Sequence, residues 1–316
     1  MAKLAVYSQV TSKNIFGESL MNDFINFLDV SPKTIATYQR ALRQFFKYLK
    51  DNNIQTPTHD NILFFKKSLQ DNNRKPATIN LYLAAVRKFF IWCEQRGIIQ
   101  DITHGVKNMK IDSGHKRDFI GANQLNQILS DMPRNTVEEK RNYAIFLLTV
   151  TGGLRTIEIS RADICDIRLQ GDFITLSVQG KGKNSKSDFI KLAPETFKAI
   201  QEYLQARKYE SESEPLFTST SNRNLNGRMT TRSISKIIKT QLRNSGYDSP
   251  RLSAHSLRHS SVTLSLMAGH SIEETQAFAR HSNLNTTLVY NHSVQRLKST
   301  IESDICRAIF NGNVRL

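Results

Sequence analysis

The 316-residue sequence has no run of about 18 apolar residues, so it offers no segment suited to crossing a bilayer as a helix. Its first residues, Met1-Ala2-Lys3-Leu4-Ala5-Val6, lack the apolar run of a secretion signal. The two absences predict a cytoplasmic protein with no membrane partner. Cysteine is scarce: Cys93, Cys165 and Cys306 are odd in number and far apart, which argues against a disulfide framework or a Cys-rich zinc site. Buried small hydrophobes is the role expected of them. Internal repeats and low-complexity segments are also missing.

Acidic residues are in deficit. There are 28 Asp+Glu against 44 Lys+Arg, a formal charge of +16, which points to a polyanionic partner. Residues 1–112 carry 16 Lys+Arg against 9 Asp+Glu, a net of +7, and the remainder carries 28 against 19, a net of +9. Both halves are basic, which fits a clamp on DNA better than an enzyme with a basic tail. The length exceeds what one core usually holds, so two domains are expected.

The first half reads as helices. Ser31-Pro32 is an N-cap followed by proline at the first helical position, and Ile35, Tyr38, Leu42, Phe45, Phe46 and Leu49 then recur at helical spacing. A second helix is expected from after Thr58 to about Asn72, burying Ile62, Phe65 and Leu69, and a third from Pro76 to Gly97, carrying Ile79, Leu83, Val86 and Phe90. With a short helix around Phe24 to Leu28, residues 1–110 form a small bundle of about four helices whose aromatics are core. Lys33, Arg40, Arg43, Lys47, Arg87 and Lys88 lie off the apolar stripes. They are candidates to face phosphates, a solvated basic face being the alternative for each. The polar, basic stretch 111–117, with Ser113-Gly114-His115-Lys116-Arg117, interrupts every period and reads as a linker.

The second half, 118–316, mixes types. Ala122 to Met132, Glu138 to Val150, Pro194 to Arg207 and Arg232 to Asn244 read as helices. Thr151-Gly152-Gly153-Leu154-Arg155 follows the second of these, and the double glycine should break the helix and place Arg155 at the start of the next, with Glu158 one turn on. Such a pair is either a surface ion pair or an oriented phosphate binder. Asp172 to Val178 and Asp188 to Leu192 read as strands flanking the hairpin Gly180-Lys181-Gly182-Lys183-Asn184-Ser185-Lys186. Its glycine spacing is not that of a Walker loop, and its lysines are either solvated or reach into a DNA groove, Lys183 and Lys186 among them.

Five of the eight histidines fall between His255 and His292. His255 and Arg258 are three apart, so on a helix they project from one face, a pairing suited to a phosphate. His255 and His259 have the i, i+4 spacing of a helical zinc pair, but Ser256 stands where a zincin has its glutamate and Arg258 would repel a cation. No metal site is expected.

Four motifs in order, Thr-Gly-Gly-Leu-Arg-x-x-Glu at 151–158, Gly-Lys-Gly at 180–182, His-x-x-Arg at 255–258 and His-Ser-x-Leu-x-Thr-Thr-x-x-Tyr at 281–290, resemble the tyrosine recombinase (phage integrase) family. The resemblance covers essentially the whole chain. It departs in two places: Ala279-Arg280 stands where the family often has Leu-Gly, and the first motif has an extra glycine. Neither is expected to touch a residue with a chemical role.

The resemblance implies a mostly α fold with a small antiparallel β-sheet in the second domain: an N-terminal helical core-binding bundle and a C-terminal α+β catalytic domain. It implies that Tyr290 attacks the scissile phosphorus to form a 3′-phosphotyrosyl bond, that Arg155 and Arg258 hold the non-bridging oxygens, and that Lys181, with Lys183 the substitute in a shifted register, protonates the departing 5′ oxygen. His255 would be acid/base for the tyrosine, His281 would hydrogen-bond the phosphate and Glu158 would support the site. The bond energy stays in the phosphotyrosine, so no cofactor, ATP or metal is required. The implied partners are double-stranded DNA recombination sites, accessory DNA-bending proteins, and further copies in a tetramer on DNA. Val294, Leu297, Ile301, Ile305 and Ile309 form an apolar stripe near the end of the chain, which either packs in cis or docks onto a neighbour, and the resemblance favours docking in trans. With about 20 residues before the helical part, the chain stands nearer the Xer-like recombinases and small mobile-element integrases than the large phage integrases. A type IB topoisomerase-like enzyme and a catalytically silent DNA-binding relative are the alternatives.

Overall fold

The computed structural model describes residues 16–111, 118–180 and 182–311, the side chain of Asn311 excepted. Two compact units divide the chain, Met1–Ser113 and Gly114–Leu316. The expected linker at 111–117 falls, but for Ile111, outside the described residues.

In the first unit four helices run in sequence: α1 (Glu18–Phe27), α2 (Pro32–Asp51), α3 (His59–Asp71) and α4 (Pro76–Gln95). Proline opens α2 and α4, where a missing N–H leaves nothing unpaired, and Ser31 Oγ accepts from Thr34 N at 3.3 Å. The chain leaves α2 and α3 through Asn53 and Asn73, both at φ 54°, and leaves α4 through Gly97 at φ 68°. These are the left-handed caps that Asn tolerates and Gly favours. The aromatics fill the core, with Phe45 edge-on to Phe65 at 5.1 Å and Phe24 edge-on to Phe89 at 5.4 Å. The first helix begins at Glu18, earlier than expected, because Met21 is buried on the same face as Phe24 and Ile25.

The second unit opens with α5 (Ala122–Asp131) and α6 (Val137–Thr151), followed by the short α7 (Thr156–Arg161). Residues Ala144 to Thr149 of α6 are all buried, so the C-terminal half of this helix is enclosed on every side and forms the centre around which the unit packs. Three antiparallel strands follow in the order β1 (Ile167–Gln170), β2 (Phe173–Val178) and β3 (Asp188–Lys191). β1 was not expected. It is only four residues long and joins β2 through a two-residue turn at Gly171, φ 58°, with Gln170 opposite Phe173. Leu176, Val178 and Ile190 turn one face of the sheet into the core, and Phe173 and Phe189 lie exposed.

Six helices complete the unit: α8 (Pro194–Arg207), α9 (Thr231–Asn244), α10 (Ala254–Met267), α11 (Ile272–Ala279), α12 (Leu284–Lys298) and α13 (Ile301–Asn311). The apolar stripe expected after Tyr290 is divided between α12 and α13, which break at Ser299. Val294 is buried in a small cluster with Val262, Leu266, Ala279 and Tyr290, whereas Leu297, Ile301, Ile305 and Ile309 are exposed. Cys93 is buried, Cys165 is partly buried and Cys306 is exposed. The expectation of buried cysteines therefore fails at Cys306, which lies exposed on α13. No described helix is long and apolar enough to cross a membrane.

Candidate active site

The site begins where α6 stops. Gly152 caps the helix, and a Cβ there would lie 2.6 Å from Ile190 Cδ1 and 3.0 Å from the Leu148 carbonyl oxygen. Gly153 takes φ +55°, so the pair turns the chain within a space that side chains would fill. Leu154 is buried, and Arg155 becomes the N-cap of α7. Glu158 then serves twice. Its Oε2 accepts from the Arg155 backbone N–H at 2.9 Å, and its Oε1 accepts from Arg155 Nη1 at 2.9 Å.

Glu158 is fully buried and shared. Arg280 Nη2 lies 3.1 Å from its Oε2 and Arg258 Nη1 lies 3.9 Å away. Burial by itself works to raise the pKa of this carboxyl. Arg280, the Arg155 N–H, Arg258 and Arg155 outweigh burial and hold it below the usual carboxylate range. Arg258, carried on α10, is almost wholly enclosed, and it donates from Nη1 to the Gly153 carbonyl and from Nη2 to the Ala279 carbonyl. Burial and the neighbouring Arg155 bring its pKa down to about 9, so it remains a cation at neutral pH.

Arg280 was not among the residues expected to matter. The expectation that the Ala279-Arg280 departure touches nothing of chemical consequence is overturned by its contact with Glu158. It closes α11 and also donates from Nη1 to the Phe278 carbonyl at 2.7 Å and from Nη2 to the Gly153 carbonyl at 3.1 Å. The extra glycine of the first motif and the arginine at 280 thus meet in space, Nη2 lying 3.4 Å from the Gly152 carbonyl oxygen.

Just beyond it, the His281 ring Nδ1 is 3.0 Å from Oγ1 of Thr287, the second threonine of the Thr-Thr pair. Burial, then Arg258, Arg155 and Arg280, lower the His281 pKa to about 4. The imidazole is therefore neutral at pH 7, able to hydrogen-bond an anion without competing for protons. Its ring is stacked 6.2 Å from that of Tyr290.

Tyr290 sits on α12 and is buried. Its hydroxyl shares a hydrogen bond with Nδ1 of His259, one turn beyond His255 on α10. His255 is exposed and meets His259 edge-on, ring centres 4.6 Å apart. A histidine on the phenol is therefore His259, and His255, to which the resemblance gives the acid/base role, packs edge-on against it. His259 had been weighed only as half of a zinc pair. No cluster of three or more His, Cys, Asp or Glu suited to a metal occurs among the described residues.

Beside this cluster lies a cleft of about 690 Å³ whose lining includes Arg155, Gly180, Lys183, Asp188, Arg280 and His281. Lys181 lies outside the described residues. Lys183 is exposed and pairs with Asp188 at 2.8 Å. Lys186 faces Asp163, at 2.6 Å, and Asp166, and these contacts raise its pKa although burial opposes the change. In the first unit Lys33, Arg40, Arg43, Lys47 and Lys88 are exposed, and Arg43 is 3.9 Å from Glu18. Arg87 is partly buried and donates to the Val106 carbonyl at 3.0 Å.

Comparison with known proteins gives two family matches. The profile described as Phage integrase family matches residues 118–296, and that described as Phage integrase, N-terminal SAM-like domain matches 21–97. The chain is 28% identical over 305 residues to the tyrosine recombinase XerD of Oceanobacillus iheyensis, covering 90% of this chain and 98% of that protein. It is 27% identical over 281 residues to a tyrosine recombinase of Synechocystis sp., covering 83% and 86%. Among solved structures, the XerH site-specific recombinase bound to a palindromic difH substrate, a post-cleavage complex, superposes with a TM-score of 0.71 at 22% identity, covering 84% of this chain and 78% of that one. The Tn1549 transposon integrase in complex with transposon right end DNA gives 0.70 at 16% identity, covering 89% and 99%.

Proposed function

The chain belongs to the phage integrase family and is a tyrosine-type site-specific recombinase, an enzyme that cuts and rejoins DNA, and from that premise we propose the part each residue plays. Tyr290 Oη attacks the scissile phosphorus. A bond forms between Oη and phosphorus, the bond from phosphorus to O5′ breaks, and the 3′ end is left on the tyrosine. A free phenol has a pKa of about 10, so its proton must be taken up, and His259, already bonded to the hydroxyl, takes it, with His255 behind. Lys181 gives a proton to O5′. Rejoining reverses each transfer, with a 5′ hydroxyl of the partner strand as the attacker.

Arg155 and Arg258 neutralise the non-bridging oxygens and Glu158 orients both. His281, neutral and fixed by Thr287, hydrogen-bonds the same phosphate. The observation that carries this reading is the convergence on one buried carboxylate, beside the tyrosine, of cations from two separate motifs. Energy is conserved in the phosphotyrosyl bond, so the reaction needs neither ATP nor a metal. No observation favours the topoisomerase-like or silent alternatives.

DNA is the substrate. The surface supporting this reading is the cleft with Arg155 and Lys183 on its wall, together with the exposed Lys33, Arg40, Arg43, Lys47 and Lys88 of the first unit. The protein works on paired sites in the cytoplasm as a tetramer, and accessory DNA-bending proteins are further partners. The exposed Leu297, Ile301, Ile305 and Ile309 supply the surface that joins protomers, and a λ integrase of the same fold, TM-score 0.65, was solved as a dimer bound to a core site. The Xer-like relative that matches over nearly its whole length supports resolution, integration or excision by these two units.

The test is Tyr290→Phe, which removes one hydroxyl. The variant is expected to bind its DNA site with unchanged affinity and to form no covalent complex with a suicide substrate. Cleavage by Tyr290→Phe would remove Tyr290 from the role of nucleophile.

A further inference from the structure

Arg280 occupies a position that ordinary stability would give to another residue. Its backbone is left-handed, φ 53° and ψ 46°, a conformation in which glycine is favoured and a side chain is strained. The side chain is 8% exposed, and its Nε is buried without a hydrogen-bond partner among the described residues. A buried cation with one donor unsatisfied is costly.

The surrounding charge adds to the cost. Arg155, Arg258 and Arg280 converge on the carboxylate of Glu158, and Asp188, which also acts on Arg280, is offset by its own partner Lys183, so three positive charges against one negative leave this cluster at +2. Arg280 carries a pKa lowered by burial, although Glu158 works to raise it. Backbone strain, desolvation and mutual repulsion among the guanidiniums all argue for glycine at 280. An anion bound beside the cluster reverses the balance. A phosphodiester carries one negative charge, and the pentacoordinate phosphorus formed on attack by a phenolate carries two.

We propose that, in this chain, Arg280 is a positioning residue for strand cleavage, which bolts the end of α11 to the Gly152-Gly153 turn and adds a positive charge facing the doubly negative transition state, at a position where the family often has glycine. The proposal rests on the recombinase reading given above. The bolt has one end at the Gly152, Gly153 and Glu158 oxygens, which set Arg155. Its other end is the backbone that leads directly into His281 and then to α12 with Tyr290. The two segments that must close on one phosphorus atom are thus tied by Arg280 as well as by Arg258, which donates to the Gly153 and Ala279 carbonyls, and misplacement of such groups by even 1 Å is costly in rate.

Single-turnover cleavage by Arg280→Gly and Arg280→Lys tests it, on a suicide substrate with a normal scissile phosphodiester and on one with a methylphosphonate there, which carries one negative charge fewer. Glycine suits the left-handed backbone, so Arg280→Gly is expected to fold and to bind the site within about 3-fold of the parent, while cleaving the phosphodiester about 10-fold or more slowly. On the methylphosphonate its deficit should shrink to about 3-fold or less, because the demand for positive charge has fallen. Arg280→Lys, keeping the charge, should fall between the two on the phosphodiester. Normal phosphodiester cleavage by Arg280→Gly, or an equal deficit on both substrates, overturns the proposal, the second outcome showing that Arg280 adds no charge stabilisation to the transition state. If Arg280→Gly does not fold, the ratio of the two substrates for Arg280→Lys decides in the same way, an equal deficit again overturning it. Failure of the parent protein to cleave either substrate would instead refute the recombinase reading itself.

Discussion

Replacing Glu158 by Gln isolates the electrostatic part of the site, because the amide keeps the size of the side chain and an oxygen to cap α7. What it removes is the negative charge shared by Arg155, Arg258 and Arg280, taking the cluster from +2 to +3. Glu158 is 0% exposed and Arg258 is 2% exposed, so solvent does little to screen the change. Removing one partner of a buried ionic group costs about 3–5 kcal/mol. For a folding unit of this size that corresponds to a fall in Tm of roughly 6–20 °C. Urea unfolding at pH 7 should show a lower midpoint with an unchanged slope, since the surface exposed on unfolding is the same. The pH dependence has a definite sign. The folded protein holds the Glu158 pKa below its ordinary 4.5, so the stabilisation is complete above that value and is lost as pH falls through the lower, folded pKa. The gap between parent and Glu158→Gln should therefore be widest near neutrality and close in acid. Adding Arg280→Gly returns the cluster to +2 and should recover part of the loss. A Glu158→Gln protein within about 1 kcal/mol of the parent at pH 7, with the same acid profile, would refute the reasoning, since loss of a buried partner costs more than that.

Three other outcomes are expected. Lys181→Ala should slow cleavage of a normal phosphodiester by about 10²-fold, the scale of general acid catalysis, and recover on a substrate with a 5′-bridging sulfur, whose leaving group needs no proton; recovery only for Lys183→Ala would move the acid to that residue. The His281 imidazole, followed by NMR, should remain neutral until about pH 4, so it draws stability out of the fold as pH falls from about 6.5, a loss that His281→Asn should reduce; a midpoint near 6.5 would contradict the buried, cation-flanked setting. Truncation after Gln295 keeps Val294 and Tyr290 in place and removes exposed aliphatics each contributing roughly 1.5–3 kcal/mol when buried on a neighbour, less the cost of association, so gel shifts should show single-site binding without cooperative pairing and recombination should fail. Normal recombination by the truncated protein would remove the tail from assembly.

Those features that depend on local periodicity were legible in the sequence. The helix limits around Pro32, Pro76 and Pro194 follow from proline at the first helical position, and the glycine pair at 152–153 announced both the end of α6 and the placing of Arg155. The identity of the helix at the centre of the second unit was less legible, since the C-terminal half of α6 is enclosed on every side and its pattern there has no polar face to mark its orientation. The tail read as one stripe because Ser299 and Thr300 do not interrupt the apolar spacing, although Ser299 takes an extended backbone and ends α12. His259 and Arg280 were missed as functional for a different reason. Each acquires its role from a residue distant in the chain, Tyr290 for the one and Glu158 for the other. His255 and His259 differ by a turn on the same helix, and only the packing of α12 against α10 decides which imidazole meets the phenol.

The left-handed backbone at Arg280 has a meaning in the language of codons. Every arginine codon becomes a glycine codon through a single first-base change, so the residue that relieves this backbone is always one mutational step away. Strain and desolvation both favour taking that step, and the residue most affected by it is the buried carboxylate that Arg280 faces. A lineage that lost the need to cleave DNA, while keeping the need to fold and bind it, would find glycine at this position readily. Arginine at 280, where the family often has glycine, is therefore a residue that this chain holds against both strain and desolvation.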